Sequence, residues 1–272
     1  MTVKESNAIK LVAIDVDYTL IGGDLKISVE TKQAIHNAID AGCQVTLATG
    51  RMYRATVPFA EELGLNSPLI TYDGAFVKNA KTRELYWHRP IPLEYAHQIL
   101  EHLRSLGCHI NAYINDEIYV ECMNDKIRRY MAHVNVGANV VGNLSDFLEE
   151  PPTKLLVIST PEIVNEILPV LKQKFGDKSH IVRSMPTFIE FTGKGVTKGA
   201  ALATLAEDMG LLKDQVMAIG DSENDITMLS YAGIGVAVGN ADDKVKEAAD
   251  YITKGINGDG VQEAISRFVL GV

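Results

Sequence analysis

The 272-residue chain has only three cysteines, Cys43, Cys108 and Cys122, and no two of them stand in a Cys-x-x-Cys spacing. That excludes a disulfide framework and a cysteine-ligated zinc site, and it predicts reduced, mostly buried thiols in a cytoplasmic protein. The seven histidines show no metal-ligand spacing either. No apolar run approaches the roughly 20 residues that cross a bilayer, so no membrane partner is expected. Residues 1–7 are too polar for a secretory signal. Positive charge is in short supply, with 26 Lys and Arg against 35 Asp and Glu and a net charge of −9. No basic field exists to draw in nucleic acid or an anionic membrane. A small anionic substrate is still admissible, because local charge governs a pocket. No low-complexity segment or internal repeat is present, and nothing in the sequence assigns an oligomeric state.

What is present is an ordinary globular composition, 46% hydrophobic and 22% charged, long enough for one large domain or two of usual size. The N-terminal part alternates: strands are expected at 10–14, 44–48 and 69–72, and helices at 28–41, capped by Ser28, and at 56–63. Asp73-Gly74 then gives a turn signal. The C-terminal part resumes the rhythm, with helices at 197–209, 225–232, 245–249 and 261–269 and strands at 216–219, 235–238 and 251–253. Such interleaving predicts an α/β fold with a doubly wound parallel sheet. The middle differs. A helix at 93–106 precedes a hairpin, 110–114 and 118–122, turning at Asn115-Asp116. A helix at 124–135, a buried strand at 154–159, a helix at 161–175 and an antiparallel pair, 181–183 and 188–191, complete it. Its edges, 89–92 and 192–195, carry the proline and glycine of linkers. The expected organisation is a core of 1–86 and 191–272 with an α+β domain, 87–190, inserted into it.

The chemistry-bearing segments sit at the ends of these elements. The apolar run over 10–14 stops at Asp15-Val-Asp17. If strand geometry persists, alternation sends both carboxylates to one side. Two carboxylates there repel unless a cation or a shared proton relieves them, and in open α/β sheets the carboxyl ends of strands are where ligands bind. The pair reads as a site for metal-assisted chemistry or, blandly, as a solvent-facing turn. The second strand ends in Ala48-Thr49-Gly50-Arg51, a hydroxyl and backbone N–H groups fit to hold a phosphate. Lys198, in Gly195-Val-Thr-Lys-Gly199, adds a point charge where a helix begins. The strand at 216–219 ends in Gly220-Asp221-Ser-Glu-Asn224-Asp225, a second carboxylate cluster. Each segment is weak alone; four in this order, each at an element's end, form a pattern.

That pattern resembles the four motifs of the haloacid dehalogenase (HAD) superfamily. The resemblance extends through Ala218–Asp225, 231–238, Asn240-Ala241, Val245-Lys246 and Asp259-Gly260-Val261 to the Cof-type branch and its YidA-type sugar phosphatases. It covers nearly the whole chain and marks the insert as a C2-type cap on a HAD-like Rossmannoid core. It implies a phosphatase in which Asp15 is the nucleophile, forming an aspartyl-phosphate, and Asp17 is the acid and then the base. Mg2+ would be held by Asp15, Asp17 (through its carbonyl) and Asp221, an all-oxygen set that suits magnesium. Asn224 and Asp225 would hold its waters or the neighbouring lysine, Asp225 in support rather than direct contact. Thr49, Gly50 and Lys198 would clamp the phosphoryl group of a small phosphorylated metabolite, expected to be a sugar phosphate.

Several residues carry alternatives. Thr19 reads as structural, bonding locally within its loop. Arg51 either faces the substrate phosphate or pairs with a surface carboxylate. Trp87, His88, Tyr113 and Lys154 lie in the insert with no spacing that assigns them a role, and packing or exposure is the expectation. Two positions depart from the family pattern: Tyr18 where glycine is usual, whose bulk either narrows the pocket or requires an uncommon backbone angle, and Asp73 where asparagine is common, which adds a carboxylate that would weaken phosphate binding or shift it with pH if it faces the site. A sugar phosphomutase and a non-catalytic phosphometabolite-binding protein remain the alternatives on the same fold.

Overall fold

A computed structural model describes residues 8–272; the expectation for residues 1–7 lies outside the described residues. The strand Leu11–Ile14 is buried along its whole length, as an unbroken apolar run without polar alternation requires. It lies within a five-stranded parallel sheet ordered Tyr251–Ile252, Ile234–Ala237, Val216–Gly220, Leu11–Ile14, Gln44–Leu47. The chain leaves Leu11–Ile14 in one direction to Gln44–Leu47. After the insert it re-enters on the other side at Val216–Gly220 and winds outward. Right-handed crossovers running in opposite directions put their helices on opposite faces, so the sheet is doubly wound. Its switch point lies where Leu11–Ile14 and Val216–Gly220 pair, in register from Leu11 with Val216 to Ile14 with Ile219, and such a point is where open α/β sheets bind ligands.

The expected strand at 69–72 is Pro68–Thr71, joined to the main sheet by an isolated bridge between Ala48 and Ile70 and by side-chain bonds from Thr46 and Ser67. It heads an antiparallel sheet with Phe76–Asn79 and Leu85–His88, two strands that the sequence reading passes over because Lys78, Asn79 and the exposed Leu85 and Tyr86 blur the alternation. The helix expected at 56–63 begins earlier, spanning Tyr53–Glu62. Of the cysteines, only Cys43 is buried; Cys108 is half-buried and Cys122 exposed.

The middle of the chain forms a six-stranded sheet, in the order Ser179–Met185, Phe188–Gly193, Lys154–Ile158, His109–Ile114, Glu117–Val120, Ala138–Val140. Its core gathers Ile91, Leu100, Leu155, Val164 and Phe175. The two connecting segments run side by side: a Cβ at Gly193 would lie 3.2 Å from the carbonyl oxygens of both Arg89 and Pro90. The second segment is not a free loop, because the strand Phe188–Gly193 continues into it.

The hairpin turn of this sheet reaches the half built on the parallel sheet. Asn115 and Asp116 are both left-handed, at φ 52° and 60°, the geometry of a tight two-residue hairpin turn. The Asp116 carboxylate accepts hydrogen bonds from Tyr53 N at 3.0 Å, Arg54 N at 2.9 Å and the Tyr72 hydroxyl at 2.7 Å. The helix Tyr53–Glu62 has Met52 at its N-cap and no capping side chain of its own; the insert supplies one from 62 and 63 residues away. Replacing Asp116 with alanine is predicted to cost about 1 kcal/mol of stability and to loosen the two halves. Small-angle X-ray scattering should show a larger radius of gyration than wild type, and an unchanged radius would remove Asp116 as the tie.

Candidate active site

Sheet pairing ends at Ile14, with one further bond from Asp15 N to Ile219 O at 3.0 Å. Strand geometry does not persist through Asp17. The chain turns, with Leu20 N donating to Asp15 O at 3.1 Å and Ile21 N to Val16 O at 3.0 Å, and Tyr18 takes φ 59°. The loop, not alternation, brings Asp15 and Asp17 to the same pocket.

Lys198 opens the helix Lys198–Asp208, whose N-cap Thr197 accepts from Ala200 N at 3.0 Å. Its ammonium, fully buried, donates to Asp15 Oδ1 at 2.6 Å and to Asp225 Oδ1 at 2.7 Å. The other oxygen of Asp225 accepts from the backbone N–H groups of Asp221 and Ser222, each at 3.0 Å. Both Asp225 oxygens are thus occupied, and Asp225 shapes the loop and holds the lysine. Gly220 leaves it room, since a Cβ there would lie 2.5 Å from that of Asp225. Asp221 keeps one oxygen open; its Oδ1 accepts from Thr19 Oγ1 at 2.9 Å. Thr19 therefore does not bond locally, as expected from sequence, but ties the first loop to a loop 202 residues away.

The electrostatics mark Asp15 and Asp221 as under-compensated. Burial, then the charge of Asp225, pushes Asp15 well above the ordinary carboxyl range, Lys198 offsetting only part of it. The same causes push Asp221 up to about 7. Lys198 is raised despite burial because Asp15 and Asp225 favour its charged form. Asp15, Asp221 and Asp225 each offer an oxygen within 4.8 Å of the others. Carboxylates gathered this tightly, with hard oxygen donors and no histidine or cysteine, fit a divalent cation of the magnesium type.

Thr49 is buried, and its hydroxyl oxygen accepts from Arg51 N at 3.1 Å, leaving its proton free for a ligand. Arg51 lines the same pocket as Asp15, and its carboxylate partner is Asp17 of that pocket rather than one on the surface. It forks onto Asp17, Nε to Oδ2 at 2.7 Å and Nη2 to Oδ1 at 2.6 Å, while His133 Nε2 stands 3.2 Å from Asp17 Oδ1. Burial pushes the Asp17 carboxyl upward, but the bonds from Arg51 and His133 win and hold it well below the usual range. Asp17 is therefore anionic in this arrangement.

A second buried cluster adjoins the first. Lys154 is not a packing residue: its ammonium donates to the Gly50 carbonyl and to Glu190 Oε2, the latter at 2.6 Å. Glu190 also accepts from Ser184, and burial with the charge of Asp73 pushes it up to about 7. Asp73, left-handed at φ 55°, accepts from Asn224 Nδ2 at 2.8 Å, and its other oxygen is buried without a donor. Burial of Asp73 is outweighed by Lys154 and Lys198, which keep it ionised. Asn224 thus bonds Asp73 while lining the same pocket as Asp15 and Thr49. A Cβ at Gly50 would lie 3.2–3.3 Å from both Asp73 oxygens and from Glu190, so a side chain there would press on both carboxylates. Sequence spacing gave no hint of Lys154, Glu190, His133 or Ser184. Of the other insert residues singled out, Tyr113 is buried, bonded to the Tyr130 hydroxyl at 2.6 Å. Trp87 donates to Gly74 O at 3.1 Å, and His88 bonds Thr153 Oγ1 at 2.9 Å.

The raised Asp221 generates a prediction with a definite sign. A carboxyl raised from 3.8 to about 7 on folding contributes stability at low pH that is lost as pH rises through 7, and a bound cation replaces the missing proton. Mg2+ should accordingly raise the melting temperature only slightly at about pH 5.5 and by several degrees at about pH 8. Asp221→Asn should abolish the response. An equal shift at both pH values would contradict the assignment.

Comparison with known proteins agrees with this geometry. The family model of haloacid dehalogenase-like hydrolases matches residues 12–265. The 5-amino-6-(5-phospho-D-ribitylamino)uracil phosphatase of Bacillus subtilis is 35% identical, covering 98% of each chain. A crystal structure of a Thermotoga maritima protein is 36% identical with a TM-score of 0.81, covering 95% of this chain and 97% of that one. A sugar phosphatase of HAD subclass IIB is 26% identical with a TM-score of 0.83, covering 95% and 98%. With its buried lysine bridging two carboxylates at the switch point of a doubly wound sheet, the chain belongs to the haloacid dehalogenase-like hydrolases, in their Cof-type branch, as a phosphoric monoester hydrolase.

Proposed function

We propose that the protein hydrolyses sugar phosphates with Mg2+, through a phosphoryl group carried on Asp15. The observation that carries this reading is the Lys198 bridge, which fixes Asp15 beside the open carboxylate of Asp221. The cation, when bound by Asp15, Asp221 and the Asp17 carbonyl, would offset charge and polarise the phosphoryl oxygens. Asp15 attacks phosphorus with one carboxylate oxygen, and the P–O bond to the leaving group breaks. The Lys198 ammonium moves from a carboxylate partner to the phosphoryl oxygens, joined by the Thr49 hydroxyl and the Gly50 N–H. Arg51 has a similar choice. A phosphate dianion competes with Asp17 for the guanidinium, and Asp17, buried and relieved of its fork, then gains the proton it must donate to the leaving oxygen. Having donated, Asp17 takes a proton from the water that attacks the phosphorus, releasing phosphate and restoring Asp15.

The insert, residues 87–190, acts in this reading as the cap, closing through Asp116 and Lys154 and hinging at the paired segments 89–92 and 192–195. The polar groups of Ser184, Lys154 and Glu190 in the pocket wall suit a hydroxylated substrate, and the subclass IIB sugar phosphatase neighbour supports the same class.

Phosphate release from a panel of hexose and pentose phosphates, a nucleotide and glycerol phosphate tests this directly. Asp15→Asn should lower kcat by about a thousandfold or more, and chelation should abolish turnover until Mg2+ is returned. Persistent activity in Asp15→Asn would overturn the assignment of the nucleophile. A panel in which sugar phosphates rank last would overturn the substrate class.

A further inference from the structure

Asp73 belongs to the core and Glu190 to the insert, and their carboxyls meet over Gly50, where one Cβ would touch both Asp73 oxygens and Glu190 Oε1. Both are buried, at 1% and 4% exposure. Their donors do not suffice. Lys154 and Ser184 take the two oxygens of Glu190, and Asn224 takes one of Asp73. Asp73 Oδ2 is buried with no donor at all. A buried carboxylate oxygen that faces a second carboxyl group is relieved when a proton lies between them.

The turn that presents Asp73 is strained and bonded to the loop 49–51. Tyr72, Asp73 and Gly74 take φ 53°, 55° and 100° in succession, a run that persists only where the surroundings over-determine it. Tyr72 N donates to Arg51 O at 2.9 Å and Asp73 N to Thr49 O at 3.0 Å, while Lys154 takes the Gly50 carbonyl from the insert. The loop therefore lies between the two carboxyl-bearing segments. Other ionisable groups face the pair: Lys154 and Lys198, His180 from the strand Ser179–Met185, Tyr113 from His109–Ile114 and Tyr130 from the helix Asp125–Val134. Lys198 is already divided between Asp15 and Asp225, and Glu223, beside Asn224, pairs with Lys172 at 3.2 Å. Burial lowers His180 and raises both tyrosines, which moves all three away from neutrality.

Resting on the capping role proposed for the insert, we propose that Asp73 and Glu190 share one proton while the insert is closed, and that loss of this proton opens the insert off the loop 49–51. An asparagine at 73, as in the family pattern, would bring an amide hydrogen to the same place and need no proton. The carboxylate at 73 is what makes closure depend on pH. Glu190 is pushed from 4.5 up to about 7 in the closed arrangement, and water around an opened insert returns it to the ordinary carboxyl range. The closed arrangement thus binds the proton more tightly, so closure is favoured at low pH and lost as pH rises from about 4.5 to about 7. The closed-to-open ratio should be about thirtyfold higher at about pH 5.5 than at about pH 8.

Small-angle X-ray scattering with excess Mg2+ tests this without turnover. The wild type should show a reversibly larger radius of gyration at the higher pH. Asp73→Asn, which suits the same left-handed φ, should keep the smaller radius at both, and Glu190→Gln, whose amide also supplies a hydrogen, should do the same. The carbon-13 NMR signal of the Glu190 carboxyl, assigned by its absence in Glu190→Gln, should titrate near 7 in the wild type and lower by about one pH unit or more in Asp73→Asn. A wild-type radius that ignores pH, or one that grows equally in Asp73→Asn, overturns the switch, as does an ordinary carboxyl midpoint at Glu190. If no phosphate ester is hydrolysed, the phosphatase reading fails separately, and these two readouts still decide the switch.

Discussion

One buried ammonium holds the site together. Lys198 sits between Asp15 and Asp225, with no exposure to solvent. Around it the chain gathers six carboxylates, Asp15, Asp17, Asp73, Glu190, Asp221 and Asp225, against three cations, Arg51, Lys154 and Lys198. Such an excess of negative charge out of water is tolerable only where protons or cations make up the difference. The raised values at Asp15, Asp221 and Glu190 are that imbalance expressed as proton affinity. A divalent cation bound by Asp15 and Asp221 would supply the deficit in another form and offset the repulsion of a dianion by the carboxylates. The sheet sets this up: because Leu11–Ile14 and Val216–Gly220 pair in register, the loops that follow them leave the sheet side by side.

The insert contributes more than a cover. Its Asp116 completes the N-terminus of a core helix, and its Lys154 joins the Gly50 carbonyl to Glu190. Both contacts are charge-assisted and both cross from one half of the fold to the other, so the insert is bonded directly to the loop that carries Gly50 and to the helix that follows it. Arg51 belongs to the same logic. Its guanidinium forks onto Asp17 and holds that carboxylate anionic; in the proposed reaction a phosphate dianion would compete for it.

The sequence was most legible where chemistry sits at the ends of apolar strands. Asp15, Asp17, Asp221 and Lys198 are each announced by an abrupt change from buried to charged residues; the structure brings the three aspartates to one pocket and bonds the buried Lys198 to Asp15 behind it. Tyr18 was legible as a departure, and of the two consequences open to it, a narrowed pocket or an uncommon backbone angle, the structure shows the second at φ 59°. Less legible were side chains whose partners are distant in sequence. Thr19 looks like a local turn residue until Asp221 is placed beside it, and Lys154 looks like part of a buried strand until Glu190 and the Gly50 carbonyl meet it. Asp116 looks like hairpin chemistry alone, and it is that, but its carboxylate also caps a helix on the other half. The hairpin of Phe76–Asn79 and Leu85–His88 escaped for a different reason. It packs against one side only, and its outward residues include Leu85 and Tyr86, so polar alternation never develops.

The account stands on a covalent phosphoryl-enzyme at Asp15. Quenching the reaction in acid during steady turnover, reducing with borohydride and mapping the peptides by mass spectrometry tests it most directly. An acyl phosphate is reduced to the alcohol whereas a free carboxylate is not. The account predicts homoserine at position 15, formed only with substrate and Mg2+ present. Phosphate release that continues while position 15 remains unmodified aspartate, or with the modification at another carboxylate, would contradict it.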